Sequence, residues 1–238
     1  MLYNQAMTLE VEGKEKVGVV IAAAGASRRM GEVDKLFLPL AGKPILSWAV
    51  EAFEKCPLVD QIVIVLSRRN IMAGKELVKE EGWSKVSRVC LGGRRRQDSV
   101  AKGLSALKSC QWIIIHDGAR PLVSEQVIIK GLEEAKRAGA AVAAVPVIDT
   151  IKVATQDQFV VETPPRCNLW AVQTPQVFRS DIIAQAYKNL RDEVTDDASL
   201  VEALGFKVKL YMGSYDNIKI TTKKDLILAE MILKGREG

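Results

Sequence analysis

Seven residues, VGVVIAA (Val17–Ala23), run without a polar break into the small-residue loop Ala24, Gly25, Ala26 and Ser27. A strand with no polar side cannot leave one face in water, so both faces must be covered. Few architectures meet that condition, chiefly a parallel sheet held between two layers of helices. The rest of the chain supplies the material. Further apolar runs lie at Gln61–Leu66, 87–91, 112–116 and 141–145, and amphipathic stretches at 44–55, 70–81, 98–108 and 124–138 alternate with them. Pro44 suits a first helical turn and Ser124 a helix N-cap. The alternation predicts an α/β fold whose mostly parallel sheet carries helices on both faces. Ligands of such sheets bind beyond the carboxyl ends of the strands.

The pattern changes after Pro146. Short alternating stretches at 150–154 and 159–162 flank a polar turn at 155–158, and Pro164 and Pro165 follow. This predicts a β-hairpin arm over about 147–168. Residues 169–178 return to the core. Helices are expected at 180–189, 196–204 and 223–233, and strands at 207–211 and 218–221. No repeat or low-complexity linker divides the chain, so 17–238 reads as one domain with an arm, and 1–16 as a short tail outside it.

With 238 residues and 48% hydrophobic content the chain can bury a sizeable core. No apolar run approaches the roughly 20 residues of a membrane span. The first 16 residues lack the apolar stretch of a secretory signal. The four cysteines are scattered with no C-x-x-C, which fits reduced thiols in a cytoplasmic setting and argues against a zinc site. A single histidine, His116, excludes histidine-rich metal chemistry. The net charge of +5 comes from dispersed basic clusters without aromatic interleaving, which suits a small anionic substrate better than nucleic acid.

The loop after Ala23 is built for such an anion. Small residues let backbone N–H groups approach closely, and Arg28, Arg29 and Lys35 add fixed positive charge. It is neither of the common phosphate cradles. Gly25 and Gly31 are six apart with Glu32 after them, which is not a Walker loop, and Ser27 stands where a dinucleotide fingerprint has its middle glycine.

Downstream strand ends carry more polar candidates. Gly92 and Gly93 close the third strand before Arg94, Arg95, Arg96, Gln97, Asp98 and Ser99. Asp98 fits a helix cap better than a catalytic acid. Asp117, in H-D-G-A-R-P, stands where the fourth strand ends. It suits a metal ligand between protein and phosphate, and equally a turn residue before Gly118. His116 points to the opposite side and reads as structural. Arg120 fits a phosphate contact or a surface turn, Arg166 a site contact or decoration of the arm, and Lys219 a site contact or the outward residue of a strand.

Seven segments in order, AAAGASRRMG with Lys35, GGRRRQDSV, HDGARP, VPVIDTIK, LWAVQTPQVF, TDDASLVE and DNIKITT, resemble the 2-C-methyl-D-erythritol 4-phosphate cytidylyltransferases of the non-mevalonate isoprenoid pathway. The resemblance covers nearly the whole chain. It implies a Rossmann-like nucleotidyltransferase fold, magnesium-dependent transfer of CMP from CTP, and a homodimer joined by the arms. It also implies roles. Arg29 and Lys35 would stabilise the pentacoordinate α-phosphorus. Ala23, Ala24, Gly25, Gly93 and Ser99 would line the nucleotide, and Asp117 would serve the metal. Arg120, Thr174, Thr195 and Lys219 would hold methylerythritol phosphate, and Thr150 and Arg166 would reach it from the partner's arm. No nucleic-acid or membrane partner is implied. The setting implied is the cytoplasm, or the plastid stroma for a plant or algal source.

The chain departs from the family pattern at Ala22, Ser27 and Arg94, and no role is carried onto the Arg94 side chain. Rival readings are a ribitol 5-phosphate cytidylyltransferase, a sugar-1-phosphate nucleotidyltransferase, and a non-catalytic nucleotide sensor. Thr150, Arg166, Thr174 and Lys219 discriminate the first, and chain length the second. The combination of Arg29, Lys35 and Asp117 argues against the third, because binding alone does not require a transition-state set.

Overall fold

The computed structural model describes residues 15–25, 35–189 and 193–237. Most of the expected tail, and the loop residues Ser27, Arg28 and Arg29, lie outside the described residues.

The first strand, β1 (Val17–Ala23), is followed by a 3-10 turn at Lys35–Phe37. A small hairpin of β2 (Pro39–Leu40) and β3 (Lys43–Pro44) leads into α1 (Ile45–Lys55). Then come β4 (Gln61–Leu66), α2 (Ile71–Glu81), β5 (Val86–Leu91), α3 (Arg96–Ala106), β6 (Trp112–Asp117), α4 (Glu125–Ala138) and β7 (Ala140–Pro146). The arm holds β8 (Val153–Ala154) and β9 (Val160–Glu162). The chain finishes with β10 (Trp170–Arg179), α5 (Ser180–Lys188), α6 (Asp197–Ala203), β11 (Lys209–Met212) and α7 (Lys223–Glu237).

The main sheet has seven strands in the order β11-β7-β10-β6-β1-β4-β5. All of them run the same way except β10, which is antiparallel to both β6 and β7. The period of two along β1 explains why it had to be apolar throughout. Val19 and Ile21 face a core shared with Phe53 of α1 and Ile128 of α4, while Val20 faces the opposite layer with Val63 and Val65. On β6, Ile114 packs into the first layer and Ile113 and Ile115 into a third cluster with Ile183 of α5 and Val201 of α6. Each such side chain contributes roughly 1.5–3 kcal/mol through burial.

Local signals act as expected at several helix starts. The Ser124 hydroxyl accepts from the Val127 N–H, and the Asp196 carboxylate accepts from the Ser199 N–H. Three expectations are corrected. The third helix begins at Arg96, two residues before Asp98, because Asp98 caps from inside: its Oδ2 accepts the Arg95 N–H at 3.1 Å. Pro44 occupies the cap position ahead of α1. Residues 218–221 form no strand. Their alternation comes from a loop laid across the sheet end, where Ile220 is fully buried and its N–H donates to the Ala119 carbonyl at 2.8 Å.

The arm is a short antiparallel pair, Val153 opposite Glu162 and Ala154 opposite Val160. The Gln158 N–H donates to the Thr155 carbonyl and closes its turn. Among the described residues its apolar side chains are largely uncovered: Phe159 is 74% exposed and Val161 65%.

Candidate active site

Register brings four chain turns level at one sheet edge. Ala22 pairs with Asp117, Ala23 with Leu66, and Leu66 with Leu91, so β1, β4, β5 and β6 end together. An open cleft of about 280 Å³ lies beyond those ends. Its lining combines small residues, from Ala22 to Gly25 and at Gly93, with the cations Lys35, Arg94, Arg95, Arg96 and Lys219 and the carboxylate of Asp117.

Close approach fixes the glycines. A Cβ on Gly92 would sit 2.4 Å from the Ala24 Cβ, and one on Gly93 would sit 2.3 Å from the Asp98 Cβ. The buried Ser99 hydroxyl shapes the same loop. It accepts the Gly93 N–H at 3.0 Å and donates to the Arg95 carbonyl at 3.1 Å.

Asp117 is the anionic centre. Lys219 Nζ lies 2.7 Å from its Oδ2, Arg96 Nε 3.3 Å from its Oδ1, and Arg120 Nε 3.9 Å from its Oδ2. Burial alone would raise this carboxyl, but the charges of Arg96 and Lys219 overcome it and hold Asp117 far below the ordinary carboxylate range. Three cations on one carboxylate leave surplus positive charge for an incoming anion. Lys35 is anchored by its Nζ donating to the Ile220 carbonyl at 2.8 Å.

His116 faces away from the cleft. It is completely buried, 4.9 Å from the Phe53 ring. Burial pushes its pKa down to about 4, although the bond to the Arg120 carbonyl opposes this. The neutral ring donates from Nε2 to that carbonyl at 3.0 Å, so Nδ1 accepts the Thr174 hydroxyl at 3.1 Å. The same Thr174 oxygen accepts the Asp117 N–H at 3.0 Å. It reaches there because the β10 register breaks between Val172 and Gln176, which re-aims the side chains in between.

Eight of the expected residues therefore line the cleft: Ala23, Ala24, Gly25, Lys35, Gly93, Ser99, Asp117 and Lys219. Thr174 and Arg120 stand behind it. Thr174 is buried with its hydroxyl committed to Asp117 and His116, and Arg120 Nη1 donates to the Asn217 carbonyl at 2.7 Å. Thr195 is exposed just ahead of α6 and does not reach the cleft wall. Thr150 and Arg166 belong to the arm region, away from this chain's cleft, and Arg166 Nη1 donates to the Ile148 carbonyl at 2.7 Å. Arg29 lies outside the described residues. Sequence reasoning missed Arg96. In a run of three arginines nothing local marks the third, and only its placement at the start of α3 turns it toward Asp117.

Comparison with known proteins agrees with this geometry. The IspD family model, 2-C-methyl-D-erythritol 4-phosphate cytidylyltransferase, matches residues 17–235. A protein of that name from Dehalococcoides mccartyi is 54% identical over 220 residues, covering 92% of this chain and 97% of its own. The crystal structure of 4-diphosphocytidyl-2C-methyl-D-erythritol synthase from Anaerococcus prevotii superposes with a TM-score of 0.83 at 28% identity, over 93% of this chain and 97% of that one. The 2-C-methyl-D-erythritol 4-phosphate cytidylyltransferase from Thermus thermophilus gives 0.73 at 33% identity, over 92% and 99%. The match runs from the first strand into the last helix and takes in every element that builds the cleft, so the chain belongs to the 2-C-methyl-D-erythritol 4-phosphate cytidylyltransferase family.

Proposed function

We propose that the cleft binds CTP and transfers its CMP unit to 2-C-methyl-D-erythritol 4-phosphate, giving 4-diphosphocytidyl-2-C-methyl-D-erythritol and pyrophosphate. One observation carries the reading: small residues from Ala22 to Gly25 and at Gly93 share one cleft with Lys35 and Lys219, and the single imidazole of the chain is sealed away and neutral. The names of the relatives supply the substrates.

The chemistry suits these residues. A phosphate oxygen of the acceptor attacks the α-phosphorus of CTP. A new P–O bond forms there, and the bond from the α-phosphorus to its β-bridging oxygen breaks. The electron pair leaves with pyrophosphate. A phosphate monoester has a second pKa of about 6 and is mostly ionised at neutral pH, so no general base is needed. The obstacle is repulsion between anions, roughly 4 kcal/mol for two unit charges about 4 Å apart at an effective dielectric of 20. Lys35 and Lys219 offset it, together with Arg29 by resemblance, most strongly where charge builds in the transition state.

Magnesium fits the same place. Among the described residues no group of three or more potential metal ligands converges. Bound with nucleotide phosphates, however, magnesium needs only one or two protein carboxylates. Asp117 lines the cleft and would give one hard oxygen ligand in exchange for the Lys219 Nζ that lies 2.7 Å from its Oδ2. Bound there, the ion would neutralise phosphate charge and steady the leaving diphosphate.

The functional unit we propose is a homodimer. Ile148, Phe159, Val160 and Val161 are each 60% or more exposed, apolar surface on the arm that a second copy would cover. Thr150 and Arg166 stand away from their own chain's cleft, so any contact with acceptor would be made in the partner's. Among the described residues no helix is long and apolar enough to cross a membrane. The bacterial relatives support a cytoplasmic setting.

The test is pyrophosphate release from CTP in the presence of magnesium. Methylerythritol phosphate with CTP is expected to be the preferred pair, ahead of ribitol 5-phosphate as acceptor or UTP as donor. Equal or faster release with ribitol 5-phosphate would overturn the acceptor assignment.

A further inference from the structure

The cleft carboxylate is held from behind. Arg96 touches Asp117 with Nε, while its Nη1 lies 2.7 Å from Oδ2 of Asp197, at the start of α6. Asp197 is completely buried and does not line the cleft. Its other oxygen, Oδ1, accepts the hydroxyl of Tyr187 from α5 at 2.5 Å. Tyr187, Asp197, Arg96 and Asp117 thus form a chain of side chains from the helix layer to the site. Next to Arg96, Gln97 Oε1 accepts the Val194 N–H at 3.1 Å and ties α3 to the segment leading into α6.

Stability alone does not account for this chain. Burying a carboxylate costs several kcal/mol that a buried ion pair often fails to regain. Burial pushes the Asp197 carboxyl up, and the Arg96 guanidinium and Tyr187 hydroxyl oppose it. Burial and the Asp197 charge push the Tyr187 hydroxyl well above its ordinary range, so it stays a donor at working pH. What the arrangement supplies is orientation. A guanidinium is a rigid planar fork, and a carboxylate at each edge fixes its plane.

We propose that Arg96 is a positioning residue for the transfer reaction: Asp197 and Tyr187 lock its guanidinium, and the locked guanidinium holds the Asp117 carboxylate in place with Lys219 on its other oxygen. This rests on the reaction proposed above. Arg96 acts through Asp117, and Tyr187 acts through Arg96, so the two are coupled although Tyr187 has no contact with the cleft.

Arg96→Lys keeps the charge and loses the fork. Expected is a kcat lower by about 10–100-fold per folded molecule, with the KM for CTP and the calorimetric CTP affinity each within about threefold of wild type. Tyr187→Phe, which removes one hydroxyl, should lower kcat by about threefold to tenfold. The double variant should be no slower than Arg96→Lys alone, because both changes disable one unit. A purely structural pair would instead lower the melting temperature and leave kcat per folded molecule intact. Wild-type kcat in folded Arg96→Lys, or multiplying losses in the double variant, overturns the role. Should Arg96→Lys not fold, wild-type kcat in Tyr187→Phe overturns it equally. The wild type run alongside separates the two ideas: no transfer by the wild type removes the assigned reaction and this role with it, whereas transfer undiminished in the variants removes only the role of Arg96.

Discussion

The strands of the main sheet and the strands of the arm are made of the same residues and meet opposite fates. Val63, Val65, Ile64 and Ile114 are fully buried between helix layers. Val160 and Val161 of β9, with Phe159 beside them, stand in the open. β-Branched residues favour a pleated surface, but whether that surface is covered depends on what else the chain can bring to it. The strand ends that carry the cleft accordingly build its described lining from one chain. The arm has polar partners of its own, but among the described residues its apolar side chains lack cover, and we propose that a second copy supplies it.

The largest effect that would sharpen this contrast is on the cleft side. Lys35→Ala should lower kcat by about 10²–10³ and change the KM for CTP much less, since Lys35 serves the transition state more than the ground state. Steady-state kinetics check this, and a rise in KM with kcat intact would remove Lys35 from the reacting centre.

An arm substitution should fail in a different way. Arg166→Ala is expected to lower activity by about 10²-fold through acceptor capture. Mixing it with Lys35→Ala should regain about a quarter of wild-type activity, because half of the randomly exchanged dimers carry one intact site of their two. Mixtures as inactive as their parents, with subunit exchange verified, would break the proposed sharing of sites across subunits.

The next effect belongs to the interior. His116 has a pKa of about 4 folded, against 6.5 for the unperturbed side chain. Its folded pKa is depressed, so between those values the unfolded chain binds the proton that the folded chain refuses. Stability is therefore undiminished by His116 above about pH 6.5 and falls as the pH drops toward 4, by up to about 3 kcal/mol from this residue. Urea unfolding at pH 7.5 and 5 reads this directly, and a pH slope unchanged in His116→Gln would contradict it. The smallest effect on folding is predicted back on the arm. Val161→Thr should alter folding stability by no more than about 0.5 kcal/mol, yet weaken self-association in sedimentation experiments.

Particular residues mark how far the sequence could be read. The unbroken apolar run of β1 demanded a sheet covered on both faces, and the loop after it raised the expectation of a bound anion. Ser124 at a helix start and the polar turn before Phe159 carried their own local chemistry, and both appear as expected. Thr174 did not carry its own. Its side chain could be placed only after β10 was seen to slip register, which sets its hydroxyl against the Asp117 N–H and the His116 ring. The loop at 218–221 misled because four alternating residues look the same in a strand and in a segment crossing a sheet end. Arg96 was illegible among its neighbours, and Asp197 carried nothing to distinguish it from an ordinary first-turn acid.

What the sequence determined by itself was whatever depends on spacing along one element: the faces of each strand, the helix caps, and the small residues where a backbone must approach a ligand. Those follow from steric and hydrogen-bond rules that act over a few residues. Tertiary structure alone decided which charges meet. Asp117, Arg96 and Asp197 lie on three separate elements and Lys219 on a loop, and Coulomb energy depends on distance in space, which the order of residues does not specify.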